Sequence, residues 1–349
     1  MITDLRLQHF RSYRDESFEF DPGVNIIVGP NASGKTNLLE AILVACCGSS
    51  YRGKDIELLS FNASWARLDA HAGNQNRVVK IKRGLEDKVI KQFEIDGNTL
   101  SRLNINRSLP VVLFDPNHLQ LLHGRPELRR GFLDDLLEQT VTGFGGLRRQ
   151  YRRALAQRNA LLKHMRGADQ LFAWNIRLSE LGGQLVAERL KLIEKFNKRI
   201  GQRYSQLANK RQRVKLEYIT TCEPAHYSSQ LLKRLEQSVE QDMARGFTSQ
   251  GPHRDDLGVL LNGKPAAISA SRGETRSLLL TLKLQEVDLV TDARQQAPLL
   301  LLDDVFSELD GSRRRALTDA LQGHQSFITT TDADVVVQHF TETTHLIAL

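Results

Sequence analysis

Residues Gly29-Pro30-Asn31-Ala32-Ser33-Gly34-Lys35-Thr36 follow the apolar run Val24 to Val28 and precede a stretch with apolar positions at Leu38, Leu39, Ile42, Leu43 and Cys46. The pattern reads strand, G-x-x-x-x-G-K-T loop, helix. That order is what a phosphate-wrapping loop requires, because glycines let backbone N–H groups converge on an anion at a helix N-terminus. Lys35 would then meet the β- and γ-phosphates of ATP, and the Thr36 hydroxyl would coordinate a bridging Mg²⁺. A glycine turn matching by chance is the alternative, and the flanking strand and helix argue against it.

A second element is expected wherever a triphosphate is held, and Leu299-Leu-Leu-Leu302-Asp303-Asp304 supplies it as an apolar strand ending in two carboxylates. In this Walker B form Asp303 would hold Mg²⁺ through water, and Asp304 would orient or deprotonate an attacking water. Either carboxylate alone could instead be a cap or turn residue after a buried strand. Small-molecule kinases and GTPases complete both elements within a much shorter stretch than separates Lys35 from Asp303, which argues against those classes.

What lies between the two elements differs in character. The first 120 residues read as short strands, including Val78 to Ile81, Val89 to Ile95 with the turn signal Asp96-Gly97-Asn98, and Val111 to Phe114. From about Leu121 apolar residues step by three or four through Trp174, Leu178, Leu181, Leu185, Ile193, Phe196, Ile200 and Tyr204. Phe172 to Leu207 could be one helix, interrupted if Gly182-Gly183 or Gly201 breaks it. After Arg245 alternation returns, with Leu257 to Leu261 leading into the hairpin signal Asn262-Gly263. The boundaries expected are residues 1–120 with 246–349 as one lobe and 121–245 as a mostly helical, basic arm.

Charge divides along the same lines. Leu121 to Arg245 holds 24 Lys and Arg against 13 Asp and Glu, while the remainder holds 24 against 28. The basic excess of the whole chain, +7, therefore lies in the middle segment. Either a nucleic-acid-facing arm or a helical segment solvated by its cations accounts for that. No apolar run approaches the roughly 20 residues of a membrane span, and the first residues do not resemble a signal peptide. The expectation is a cytoplasmic protein with no membrane partner. Cys46, Cys47 and Cys222 have neither metal-ligand nor disulfide-framework spacing and read as structural.

Between arm and Walker B, Ser271-Arg272-Gly273-Glu274 resembles the S-x-G-[QE] signature of ABC-type ATPases, 32 residues ahead of Asp303. Taken alone it would be an ordinary helix cap. Val305 to Asp310 looks like the D-loop that follows Walker B in those proteins, with Asp310 in its final acidic position. Together with Phe10-Arg11-Ser12-Tyr13, Val112 to Arg130, Gly251-Pro-His-Arg-Asp-Asp-Leu257 and LLLDDVFSELD, these elements resemble the RecF family over nearly the whole length.

The resemblance implies an α/β fold: an ABC/SMC-head-like P-loop NTPase lobe with an inserted, mostly helical lobe. It implies a homodimer formed on ATP, in which Ser271, Gly273 and Glu274 of one subunit complete the γ-phosphate site of the other. Arg11 would lie near the nucleotide and Asn117 at the Q-loop position, although a surface charge and a turn residue are equally simple readings of the two. Many relatives carry a switch histidine where this chain has Thr330, and a glutamate where it has Asp304. Slow, DNA-dependent ATP hydrolysis used as a switch is the corresponding expectation.

The family further implies binding to single-stranded, gapped or junction DNA in recombinational repair, replication and the SOS response to DNA damage, with RecR and RecO helping to load RecA. Arg148, Arg149, Arg152 and Arg153 at i,i+4 spacing, and Lys195 and Arg199 among the bases of a second stripe, are the candidate DNA contacts. An ABC subunit of another assembly, such as a transporter, is the alternative. For Gly251 to Leu257 the resemblance implies importance and the chemistry leaves capping and salt-bridged turns both open.

Overall fold

The computed structural model describes residues 1–84, 88–164, 168–208, 210–340 and 344–349. The chain divides into two compact units, Met1–His118 with Glu286–Leu349, and Leu119–Gln285.

The first unit holds two sheets. One is antiparallel, in the order β2 (Tyr13–Glu19), β1 (Ile2–Phe10), β4 (Trp65–Ala72), β5 (Gln75–Arg83), β6 (Val89–Ile95), β7 (Asn98–Leu100). The other is parallel throughout, in the order β14 (His345–Ala348), β3 (Val24–Val28), β13 (Ser326–Thr330), β12 (Leu299–Asp303), β8 (Val111–Phe114). Helix α1 (Lys35–Cys47) contacts strands of both sheets. That position explains why the helix has no polar stripe: Leu38, Leu39, Ala41, Ile42, Val44, Ala45 and Cys46 are all buried, in one core with Leu5 and Leu7 of β1 and Leu299 and Leu301 of β12. Parallel strands need crossovers, and a strand covered on both faces reads as a continuous apolar run, as β12 does. Burial also accounts for the cysteines of α1, since it pushes the Cys47 thiol up to about 12 and that of Cys46 higher still.

The second unit contains α3 (Pro126–Thr140), α4 (Phe144–His164), the long α5 (Ala168–Ala208), α6 (Tyr227–Gln237), α7 (Val239–Arg245) and a small sheet ordered β11 (Lys264–Pro265), β10 (Asp256–Leu261), β9 (Val214–Ile219). The glycines of α5 do not interrupt it. A Cβ on Gly183 would lie 1.9 Å from Ser228 Oγ and one on Gly182 2.9 Å from Leu231 Cδ2, so this pair is the notch into which α6 packs. Residues 246–285, grouped from sequence with the ATPase lobe, belong to the second unit: β10 pairs with β9 of the supposed arm, not with either sheet of the first unit. The unit boundary falls inside α9 (Arg272–Arg294), between Gln285 and Glu286.

The segment Gly251 to Leu257 is the polar hub of this second unit. Gly251 has φ +124°, and a Cβ there would come 2.8 Å from the Tyr151 hydroxyl. His253 Nε2 faces the Thr248 carbonyl at 3.1 Å, so it carries the ring proton and donates, leaving Nδ1 to accept from Tyr151 at 2.7 Å. The Tyr218 and Tyr227 hydroxyls donate to Asp255 at 2.9 and 2.7 Å, and Arg129 grips Asp256 with two bonds of 2.7 Å. Beside it, the fully buried Arg158 of α4 donates to Asp242 (2.7 Å), Thr248 (2.8 Å) and Asn175 (2.7 Å). Arg189 of α5 pairs with Asp134 at 2.8 and 2.9 Å and donates to the Pro252 carbonyl at 2.8 Å. The role left open by sequence is thus structural: salt-bridged and hydrogen-bonded turns joining five elements.

Two outcomes follow from this hub. Arg158→Ala leaves Asp242 buried without its cation, and urea unfolding should show a loss of about 3–5 kcal/mol, whereas replacing both residues by apolar ones should lose less. Burial pushes His253 from 6.5 down to about 4, so between those pH values the unfolded chain binds a proton that the folded chain excludes. Stability is therefore full above that window and falls as pH drops through it; unfolding curves of His253→Gln should show a shallower pH dependence there.

Candidate phosphate and metal site

β3 ends at Val28, and the chain turns through Gly29 to Gly34 into α1. The turn needs unusual backbone: Ala32 has φ +67° and Gly34 φ +108°. Successive residues of opposite hand aim their N–H groups into one concavity, the geometry of an anion nest. Gly29 has no room for a side chain, since a Cβ would lie 2.6 Å from Ser33 Oγ and 2.8 Å from the Leu349 carbonyl. Ser33 Oγ is itself buried with no hydrogen-bond partner among the described residues. An orphan hydroxyl inside a nest of N–H groups fits an oxygen-rich anion such as a triphosphate. Lys35 Nζ donates to the carbonyls of Gly29 (2.7 Å) and Pro30 (2.8 Å), which keeps the ammonium at the mouth of the loop.

The sheet order brings the distant carboxylate here. β3 and β12 flank β13, with Thr329 opposite Ile27 on one side and Asp303 on the other. Thr36 Oγ1 donates to Asp303 Oδ1 at 3.0 Å, and Thr329 Oγ1 donates to the same oxygen at 2.8 Å. A threonine hydroxyl touching a carboxylate at the phosphate loop is a hard-oxygen pair that would suit Mg²⁺ were a phosphate bound beside it. Among the described residues no group of three or more His, Cys, Asp or Glu could hold a metal alone. Asp304 has φ +48°, and its N–H donates to Thr329 Oγ1 at 2.9 Å.

Three residues at this site had no signal in the sequence reading. Tyr51 donates to the other Asp303 oxygen at 3.1 Å, and burial together with the neighbouring carboxylates pushes its hydroxyl pKa up, so it stays protonated and available as a donor. Asp115 follows β8, whose Phe114 pairs with Leu302; burial and then the charge of Asp303 push its carboxyl up. Glu40 is fully buried on α1 and takes two 2.8 Å bonds from Arg11 and one of 2.5 Å from Ser50. A buried glutamate one turn after Thr36 was masked by the apolar run around it.

The expected residues divide accordingly. Gly29 to Thr36, Asp303 and Asp304 come together, and Arg11 lies against α1 through Glu40. The Asn117 amide is committed to Asp115 at 2.9 Å. The Thr330 hydroxyl closes a local turn with Asp332, and it is Thr329, one residue earlier, that touches Asp303. Asp310 caps α10 (Gly311–Leu321), accepting from Arg313 N at 3.0 Å. In the second unit Ser271 and Glu274 form a reciprocal cap: Ser271 N donates to Glu274 Oε2 at 2.9 Å, and Glu274 N to Ser271 Oγ at 3.3 Å. Gly273 lies in the first turn of α9, behind that cap.

The family model described as RecF/RecN/SMC N terminal domain matches residues 1–347. The DNA replication and repair protein RecF of Heliobacterium modesticaldum is 35% identical over 342 residues, spanning 95% of this chain and 92% of that protein. The chain belongs to the RecF family. The solved structure of the recombination mediator protein RecF-ATPrS in the RecFOR pathway has TM-score 0.88 at 28% identity, covering 99% of this chain and 96% of that one. The corresponding RecF-ATP structure has TM-score 0.85 at 30% identity, with 95% and 92% covered. An Smc head bound to the C-winged helix domain of ScpA shares the fold, with TM-score 0.51 at 16% identity over 97% of this chain and 92% of that one. The expected ABC/SMC-head-like fold is thus present.

Asp303→Asn separates the metal from the phosphate contribution. Titration with a fluorescent ATP analogue should show affinity in EDTA within about twofold of wild type, and a loss of about tenfold or more with Mg²⁺ present, since one lost charge–ion contact is worth at least ~1.4 kcal/mol.

Proposed function

We propose that this chain is an ATP-dependent DNA-binding protein of recombinational repair and replication, acting in the RecFOR pathway. The observation that carries the proposal is the Thr36–Asp303 hydrogen bond, which assembles a phosphate and metal site from two ends of a chain that resembles RecF throughout. Relatives of known structure include RecF with ATP and with ATPrS, and this loop has the backbone and the orphan hydroxyl to accept the same triphosphate.

In this reading Gly29 to Thr36 bind ATP, and Thr36 with Asp303 hold Mg²⁺, which offsets the charge on the phosphates. Asp304 orients water, and Thr329 fixes the position of both aspartates. The signature cap at Ser271 to Glu274 serves the partner copy of a symmetric dimer, with Asp310 at the same interface. An aspartate at the water-orienting position and threonines in place of a switch histidine favour slow hydrolysis, suited to a timer that releases DNA. RecO and RecR act as partners in placing RecA on single-stranded DNA.

The arm supports DNA binding through part of its charge. Arg149, Arg152, Arg153, Lys195 and Arg199 are exposed. Arg148 is removed from the candidate surface: its side chain is 13% exposed and pairs with Asp134 (3.3 Å), Asp135 (2.8 Å) and Glu138 (3.0 Å). Among the described residues no helix is long and apolar enough to cross a membrane, and the transporter alternative is not favoured.

The decisive measurement is sedimentation combined with DNA binding, with and without ATP. Wild type should dimerise and bind gapped or single-stranded DNA at least about tenfold more tightly with ATP. Lys35→Ala should lose both responses through lost nucleotide, and Ser271→Arg should bind ATP yet remain monomeric. A wild-type protein indifferent to ATP in both properties would end this reading.

A further inference from the structure

Within the second unit, a groove of 1240 Å³ lies between the end of α5 and the paired strands β9 and β10, lined by Ser205, Gln206, Arg211, Gln212, Arg213 and Lys215 among others. Arg211, Arg213 and Lys215 are exposed, and among the described residues none of the side chains lining the groove is acidic or aromatic. The three cations alternate along the segment that runs into β9. Its backbone is pinned by Asn262, which accepts from Arg213 N at 2.9 Å and donates to the Arg213 carbonyl at 2.7 Å. Lys215 has a competing carboxylate in Glu217 at 3.3 Å, but both side chains are well exposed and such pairs are weak.

Gln212 sits between the arginines and connects this groove to the signature. Its Nε2 donates to Glu274 Oε1 at 3.1 Å, while its Oε1 is buried without a partner among the described residues. Glu274 uses its other oxygen in the reciprocal cap with Ser271. The Ser271 N–H and, after it, the Gln212 amide hold the Glu274 carboxyl below its usual range. The Gln212 amide carries two N–H donors: one holds Glu274, and the other can donate to an anion in the groove, so a single side chain bridges the two.

We propose that this groove docks the phosphate backbone of a nucleic-acid strand, and that Gln212 transmits its occupancy to the Ser271–Glu274 cap. The inference rests on the reading of that cap as half of a nucleotide site, and adds where a strand would lie and how it would be sensed. Cations and amides without aromatics favour phosphate contacts of no sequence preference. A phosphate that accepts from the second N–H pulls on the same amide that holds Glu274, and so changes the support of the cap. The coupling is reciprocal, so nucleotide captured by the cap must alter strand affinity by the same factor.

The test compares wild type, the triple variant Arg211→Gln, Arg213→Gln, Lys215→Gln, and the triple variant Arg149→Gln, Arg152→Gln, Arg153→Gln on the full chain. A single-stranded oligonucleotide is titrated across a salt series, with thermal unfolding confirming intact folds. The groove variant should bind about tenfold more weakly at ~100 mM salt, with the salt slope reduced by about 2, as three lost contacts at ~0.7 each predict. Wild type that binds no DNA overturns both this inference and the proposed function. Wild type that binds while the groove variant keeps its affinity and slope overturns the groove alone. Retained DNA binding with lost binding of polyglutamate assigns the groove to an acidic protein and also overturns it. Gln212→Leu should still bind the oligonucleotide, about two- to fivefold more weakly for the lost amide contact, while DNA no longer shifts ATP-driven dimerisation. A DNA effect absent from wild type, or surviving in Gln212→Leu, overturns the coupling.

Discussion

The hydrogen bond between Thr36 and Asp303 joins residues 267 apart in sequence, and the architecture of the first unit is what permits it. Loop and carboxylate sit at the same end of a parallel sheet, on strands separated only by β13. The register is tightly specified. A slip of one residue in β13 would reverse the facing of Thr329, whose hydroxyl accepts from Asp304 N and donates to Asp303. The strands on either side of the insertion are also neighbours, Leu299 pairing with Val111. Some 170 residues can therefore leave and return without disturbing the sheet, because both ends of the insertion are anchored at one ladder.

Much of this was legible because it rests on patterns that depend on no distant contact. Val111–Phe114, Val89–Ile95, the Asn262-Gly263 turn and the helix after the phosphate loop all occur where periodicity and turn chemistry place them. β4 was not legible: its inward residues are Ala66, Leu68, Ala70 and Ala72, and three alanines make a weak alternation. β9 was hidden inside a helical and basic context, and with it the true boundary of the second unit. The glycines of α5 misled in the other direction, since glycine at helix interiors weakens a helix in isolation while here it admits a neighbouring one.

The site was legible in its backbone and less so in its side chains. Spacing reveals Gly29 to Thr36 because the motif is contiguous, and Asp303 because it ends an apolar strand. Tyr51, Asp115 and Glu40 are single residues without local pattern, brought in by the bend after α1, by the end of β8 and by α1 itself. Thr330 was singled out by resemblance where the geometry employs Thr329. In a strand, adjacent residues face opposite ways, so an offset of one exchanges a residue at the metal pair for one in a loop turn.

Charge counting shows the same limit from another side. The excess of +11 over Leu121 to Arg245 suggested one cationic face. Yet Arg129, Arg148, Arg158 and Arg189 are each turned inward onto carboxylates, and two of them hold the hub around Gly251 to Leu257 together. A buried guanidinium with fork geometry can join several elements at once, which a surface lysine cannot. The field that a nucleic acid would meet comes from what remains outside: Arg149, Arg152 and Arg153 on α4, Lys195 and Arg199 on α5, and the cations beside Gln212. Beside the last of these, Gln212 donates to Glu274 of the signature cap. If binding of a strand is to change how this protein responds to nucleotide, proximity of charge is insufficient, and a side chain that bridges strand and cap is the kind of part required.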